Sequence, residues 1–234
     1  MNTTFEVEGL KINAFDEHQA SCFLRMMPKG VFTVALNAEK IIEAQKDSSL
    51  RSAINSSYLS YIDGIMASLL VARKAHGKIY PKIDLPSEVV NICLSEQMSL
   101  SVVGGTPLDN QLAQEKLRLM GINVAPGMHG YEEESTLCAF ITDSLADFTL
   151  LGLGSPKQEL VANIVSASAC NTRIIPCGGA IKIIAGVQKR APKLIQNLWL
   201  ETPYRLLSEP SRALRYAKLF KIIPIIIRAW RETK

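Results

Sequence analysis

Leu150-Leu151-Gly152-Leu153-Gly154-Ser155-Pro156-Lys157-Gln158-Glu159 is the stretch from which the fold can be read. An apolar run ends in glycines and passes at once into residues suited to a helix. The pattern predicts a buried strand, a tight turn and a helix start. Ser155 is placed as N-cap, Pro156 at the first helical position and Gln158 at the third, which is the Ser-x-x-Gln form of the capping box. Gly152 and Gly154 carry no Cβ, so a ligand can approach their backbone. Free N–H groups at a helix start favour an anion such as a diphosphate. The plainer reading of the same ten residues is a strand-to-helix turn with a good cap.

Working outward, the pattern repeats. Residues 31–36 (Val-Phe-Thr-Val-Ala-Leu) form a continuous apolar, β-branched run, as in a strand buried on both faces. Further strands are predicted at 5–12, 58–62, 100–103, 122–125, 148–153 and 174–177. Helices are predicted at 16–25, 38–45, 65–75, from Pro86 to about 98, up to about 120, and over about 132–145. This alternation predicts an α/β fold: a mostly parallel, Rossmann-like sheet with helices on both faces. In such sheets ligands sit beyond the carboxyl ends of the strands. Asn37, Asp63, Gly104-Gly105, residues 152–155 and Gly178-Gly179 all fall at predicted strand ends. One glycine pair there is ordinary; five polar or glycine-rich ends on one edge predict a ligand site.

Residues 1–186 are assigned to this α/β core and residues 187–234 to a basic helical appendage. The appendage holds Lys189, Arg190, Lys193, Arg205, Arg212, Arg215, Lys218, Lys221, Arg228, Arg231 and Lys234. Leu, Ile and Trp residues alternate with them, and Ile222-Ile223-Pro224-Ile225-Ile226-Ile227 follows. That run is too short to span a bilayer, but basic flanks with Trp230 suit a helix lying among lipid headgroups. A core-packed helix with a solvated basic face is the alternative. The interleaved side chains are mostly aliphatic, which argues against a nucleic-acid surface, since single-strand binders stack bases on aromatics.

The 234 residues are 47% hydrophobic and 21% charged with a net charge of +4, the balance of a soluble globular protein. The acidic N-terminal region has no signal-peptide pattern. Five scattered cysteines without C-x-x-C spacing point to reduced thiols, and His18, His76 and His129 lack metal-ligand spacing. No Asp-x-Asp triplet is present to hold a sugar nucleotide through a divalent cation. No cofactor or metal is expected, so a bound diphosphate would be neutralised by backbone N–H groups and arginines.

Asp63, between an apolar strand and Gly64, is the candidate general base: its carboxylate can take the proton of an attacking hydroxyl. Asp-Gly is also a common turn dipeptide. Asn37 either orients a hydroxyl or caps the following helix. Gln158 either completes the capping box or donates to substrate. The fork of Arg190 suits phosphate, or is a solvated charge before Pro192. His129 is read as a loop residue.

Several blocks together resemble the WecG/TagA/CpsF glycosyltransferases. They are Val34-Ala35-Leu36-Asn37-Ala38-Glu39-Lys40, Asp63-Gly64, Val103-Gly104-Gly105-Thr106-Pro107, His129-Gly130-Tyr131, Gly152-Leu153-Gly154-Ser155-Pro156-Lys157-Gln158-Glu159 and Lys189-Arg190-Ala191-Pro192. Leu200-Glu201-Thr202-Pro203-Tyr204-Arg205-Leu206, Glu209-Pro210-Ser211-Arg212 and Arg215-Tyr216 continue the match, which covers about residues 31–216. The resemblance implies inverting transfer of an N-acetylmannosamine-type sugar from UDP to GlcNAc on undecaprenyl diphosphate. The Asn-Ala-Glu-Lys block is most similar to the enterobacterial-common-antigen members, which use N-acetylmannosaminuronic acid.

By the same resemblance Asp63 is the base, and Asn37 and Gln158 line the cleft. Gly104, Gly105, Gly154, Ser155, Gly178, Gly179 and Arg190 are expected around the substrates. Arg205, Arg212 and Arg215 are expected to close over the diphosphate and meet the membrane. The expected place is the cytoplasmic face of the plasma membrane, held peripherally, with a homo-oligomer left open. The chain departs from the family pattern in residues 79–85 (Ile-Tyr-Pro-Lys-Ile-Asp-Leu), which lack its Arg and Gly, and at Ala35, Lys182 and Thr202. A non-catalytic nucleotide- or lipid-binding module on the same fold is the alternative function.

Overall fold

The computed structural model describes residues 3–189 and 222–224. The chain opens with β1 (Thr3–Val7), β2 (Leu10–Ala14) and α1 (Glu17–Met26). A first parallel unit follows: β3 (Thr33–Leu36), α2 (Ala38–Ala44), α3 (Ser48–Ser56), β4 (Leu59–Ile62), α4 (Ile65–Lys74) and α5 (Leu85–Ser95). The second contains β5 (Ser99–Gly104), α6 (Pro107–Leu119), β6 (Asn123–Val124), α7 (Glu134–Thr142), β7 (Phe148–Gly152), α8 (Lys157–Ala167), β8 (Arg173–Pro176) and α9 (Ala180–Ile184). The mixed α/β class is as the sequence predicts.

The expected single sheet is instead two four-stranded sheets, ordered β1-β2-β4-β3 and β6-β5-β7-β8. All pairings are parallel except β1 with β2. The sheets meet at one parallel bridge, Phe32 with Ile174, where the Ile174 N–H donates to the Val31 carbonyl at 3.0 Å. Three further bonds tie the segment before β3 to the β8 side. The Gly30 N–H donates to Thr172 O, Ser166 Oγ to Gly30 O and Arg173 Nε to Met27 O. The periodicity could not show this seam, because a strand's neighbours are not written in its own alternation.

The predicted strand over 5–12 is a hairpin. Glu8 and Gly9 have φ of 53° and 72°, a two-residue turn in the left-handed region that reverses the chain between β1 and β2. Helix α3, which the sequence reading passed over, is capped by Asp47, whose side chain accepts from the N–H groups of Ser49 and Leu50.

Successive strand residues point to opposite faces, and the buried side chains divide accordingly. Val34, Val103, Leu151 and Ile174 pack with α2, α3, α4, α7 and α8 on one face. Val102, Leu150 and Ile175 pack with α1, α5, α6 and α9 on the other. Strands buried on both sides explain why 59–62 and 148–151 read as unbroken apolar runs apart from Ser60 and Thr149.

The appendage expected over 187–234 lies largely outside the described residues, and so do Arg190, Arg205, Arg212 and Arg215. Residues 222–224 are helical, and Ile222 is buried in the first face's core while Ile223 is exposed. No helix among the described residues is long and apolar enough to cross a membrane.

Candidate active site

Strands β3, β4, β7 and β8 all run toward the same rim. Here the chain leaves β3 and β4 on one side of the seam and β7 and β8 on the other. This is the switch point at which open parallel sheets leave a crevice. A cleft of about 950 Å³ occupies it. Asn37, Asp63, Gly154, Ser155, Gln158, Gly178 and Gly179 all line it, joined by Lys40, Tyr61, Lys82 and Cys177.

Asp63 follows β4 directly. Its N–H donates to the Leu36 carbonyl at 2.8 Å, extending the β3–β4 ladder by one bond and fixing the backbone at the rim. Gly64 (φ 120°) then starts α4. The half-buried carboxylate lies 3.5 Å from Lys82 Nζ. Lys82 belongs to the 79–85 block that departs from the family pattern, so that block places a cation beside the candidate base. Asn37 is the N-cap of α2, its Oδ1 accepting from the Lys40 N–H at 3.0 Å. It fills its capping role and still lines the cleft.

The predicted capping box at Ser155–Gln158 is not formed. Helix α8 begins at Lys157 with Pro156 as N-cap and no side-chain cap, and the Ser155–Pro156 peptide is cis. Gln158 is buried and turned elsewhere: its Oε1 accepts from the Gly178 N–H at 3.1 Å, and its Nε2 donates to Glu159 Oε1 at 2.8 Å. Ser155 Oγ is left without a hydrogen-bond partner among the described residues. The N–H groups of Gln158, Glu159 and Leu160 are taken by the Gly154 and Pro156 carbonyls. The helix start therefore offers an anion fewer donors than the sequence pattern implies. Gly154, at φ 77°, has open space where a Cβ would stand, as a surface facing a ligand requires.

Gly104 and Gly105 lie at the end of β5, outside the cleft lining. Their N–H groups donate to the Met128 and Gly152 carbonyls. A Cβ on Gly104 would fall 2.2 Å from the Gly152 carbonyl oxygen. This pair packs strand against strand. His129 is also away from the cleft: its Nε2 lies 3.4 Å from Glu132 Oε1, beside a separate hollow lined by Gln114 and Arg118. Lys182 is exposed on α9.

Sequence reasoning missed one feature of the cleft floor. Lys40 Nζ lies 2.7 Å from Glu159 Oε1 and 2.8 Å from the Ala35 carbonyl, with both charged side chains nearly sealed from solvent. Both residues stand in the quoted blocks, but nothing in one-dimensional spacing pairs a residue of α2 with one of α8.

Two further groups lining the cleft, Tyr61 and Cys177, are held neutral. Burial, and then the negative charges of Asp63 and Asp84, push the Tyr61 phenol well above its usual range. Burial pushes the Cys177 thiol up to about 12. Tyr61 is thus no base, and Cys177 no thiolate nucleophile, at neutral pH. Among the described residues no group of three or more His, Cys, Asp or Glu side chains is arranged to hold a metal ion.

The model of the glycosyl transferase WecG/TagA/CpsF family matches residues 5–234, nearly the whole chain. The chain belongs to this family, and with it to the glycosyltransferases of cell-surface polysaccharide synthesis.

Proposed function

We propose that the protein transfers an N-acetylmannosamine-type sugar, N-acetylmannosaminuronic acid or N-acetylmannosamine, from UDP to undecaprenyl-diphosphate-linked GlcNAc with inversion. The observation that carries this reading is that Asp63 and the Gly154–Gln158 corner line one cleft at the switch point. Asp63 takes the proton of the acceptor hydroxyl as its oxygen bonds to the anomeric carbon. The bond from that carbon to the UDP oxygen breaks on the opposite side, and UDP leaves with the electron pair. A single displacement inverts the centre. Ser155 lines the cleft, and its Oγ has no hydrogen-bond partner among the described residues, which suits a hydroxyl that bonds the donor. Lys82 and Lys116 bring positive charge to the cleft, where the diphosphate charge develops.

The reading includes transfer without a metal ion, supported by the missing Asp-x-Asp triplet, and recruitment of the lipid-linked acceptor at the cytoplasmic membrane face by the basic segment 187–234. Nothing in it requires a homo-oligomer.

Asp63→Asn is expected to lower kcat by about 10²–10⁴-fold while UDP still raises the melting temperature as in the wild type. Near-normal UDP release by the variant rejects the base. Turnover with UDP-N-acetylmannosaminuronic acid and a short-chain lipid-GlcNAc should persist in excess EDTA. The 3.5 Å approach of Lys82 to Asp63 favours a second reading, a binding module whose carboxylate is already engaged. Donor binding without transfer by the wild type selects it.

A further inference from the structure

The buried pair Lys40–Glu159 has no part in the proton or leaving-group steps, yet it lies under the floor of the cleft. The two residues come from opposite sides of the seam, Lys40 from α2 and Glu159 from α8. Glu159 Oε1 receives two donors, Lys40 Nζ at 2.7 Å and Gln158 Nε2 at 2.8 Å. Its Oε2 is buried with no hydrogen-bond partner among the described residues. Because Glu159 is an acceptor, it fixes which end of the Gln158 amide faces it, and so turns Gln158 Oε1 toward the Gly178 N–H at 3.1 Å. Reversing the amide would set Nε2 against that N–H, donor against donor. Lys40 is held in turn by the Ala35 carbonyl at the end of the β3 ladder. An unbroken polar chain therefore runs from β3 through Lys40, Glu159 and Gln158 to the Gly178–Gly179 turn after β8.

A buried ion pair contributes little net stability over apolar side chains of similar volume, because desolvation offsets the attraction. Stability alone is thus a weak reason for two charges at this place. We propose that Glu159 is a positioning residue for the transfer, acting through the acceptor oxygen it offers Gln158, while Lys40 neutralises its buried charge. Through the Gln158 amide that acceptor sets the Gly178–Gly179 turn at the rim of the cleft. The inference rests on the transferase reading, and it concerns residues that touch neither reacting atom.

Two double variants test it, with melting curves and kinetic constants read together. Both Lys40→Met/Glu159→Gln and Lys40→Met/Glu159→Leu remove the buried charges. Only the glutamine keeps an acceptor for Gln158 Nε2. Both are expected to fold with wild-type cooperativity. The glutamine pair should keep kcat within about threefold of wild type, whereas the leucine pair should lose more than tenfold in kcat at an unchanged acceptor KM; tenfold corresponds to about 1.4 kcal/mol. Equal activity of the two folded pairs, high or low, overturns the proposal. Should the leucine pair not fold, Glu159→Gln alone decides. It should melt lower yet turn over within threefold of wild type, and a tenfold loss of kcat in folded protein overturns the proposal. A wild type that binds UDP but transfers nothing fails the transferase reading itself, a result distinct from each of these.

Discussion

Gly154 and Gly104 both have positive φ, yet their replacement by alanine should differ sharply. At Gly154 (φ 77°) an added Cβ meets nothing among the described residues within 4 Å, so Gly154→Ala bears the left-handed penalty of about 1–2 kcal/mol. In a chain of this length that is a fall in Tm of roughly 2–8 °C. At Gly104 (φ 125°) the Cβ would stand 2.2 Å from a backbone oxygen, and Gly104→Ala should not yield a cooperatively folded protein. Differential scanning calorimetry of the two variants checks the contrast. Burial raises Cys93 and Cys177 from the ordinary 9.0 to about 12. Between those values the unfolded chain releases protons that the folded chain keeps. Their contribution is therefore full below pH 9 and is lost as pH rises toward 12. Tm should fall above pH 9, and less steeply in Cys93→Ala/Cys177→Ala. Asp63 and Asn37 were legible because each directly follows an apolar run. Lys40 and Glu159 were not, because a pairing across the seam leaves no trace in local spacing.

Helix α6 starts with the reciprocal cap that α8 lacks. Thr106 accepts from the Asp109 N–H, and Asp109 accepts from the Thr106 N–H. Thr106→Ala should cost about 1 kcal/mol, whereas Ser155→Ala should leave Tm near wild type, since its hydroxyl caps nothing. Thermal melts compare the two, and a larger loss for Ser155→Ala would restore a capping role. The parallel strands and most helices were legible because burial on both faces writes long apolar runs. The β1–β2 reversal was hidden by a turn opened by Glu8, a residue uncommon at positive φ. The missing box was hidden because Gln158 has better partners in Glu159 and Gly178 than in its own helix start.

Two sheets joined at one bridge make the molecule depend on what crosses the seam. Phe32, fully buried beside it, anchors the join, and Phe32→Ala should cost about 3–5 kcal/mol. On the proposed function, UDP at a hundredfold excess over its Kd should stabilise this variant and the wild type alike by about 2.7 kcal/mol, seen as a Tm gain in both. The mixed α/β class and the place of the crevice follow from strand ends gathering on one edge. That the edge is shared between two sheets rests on contacts between segments far apart in the chain.

At its outer limits the strand array finishes on a two-residue β6 and on the antiparallel β1, whose Thr3, Thr4 and Glu6 are exposed. Among the described residues, neither margin offers the long, flat, apolar border on which another molecule could add a strand. Stacking by strand addition is thereby discouraged, and concentrated solutions should scatter light no more than their mass requires.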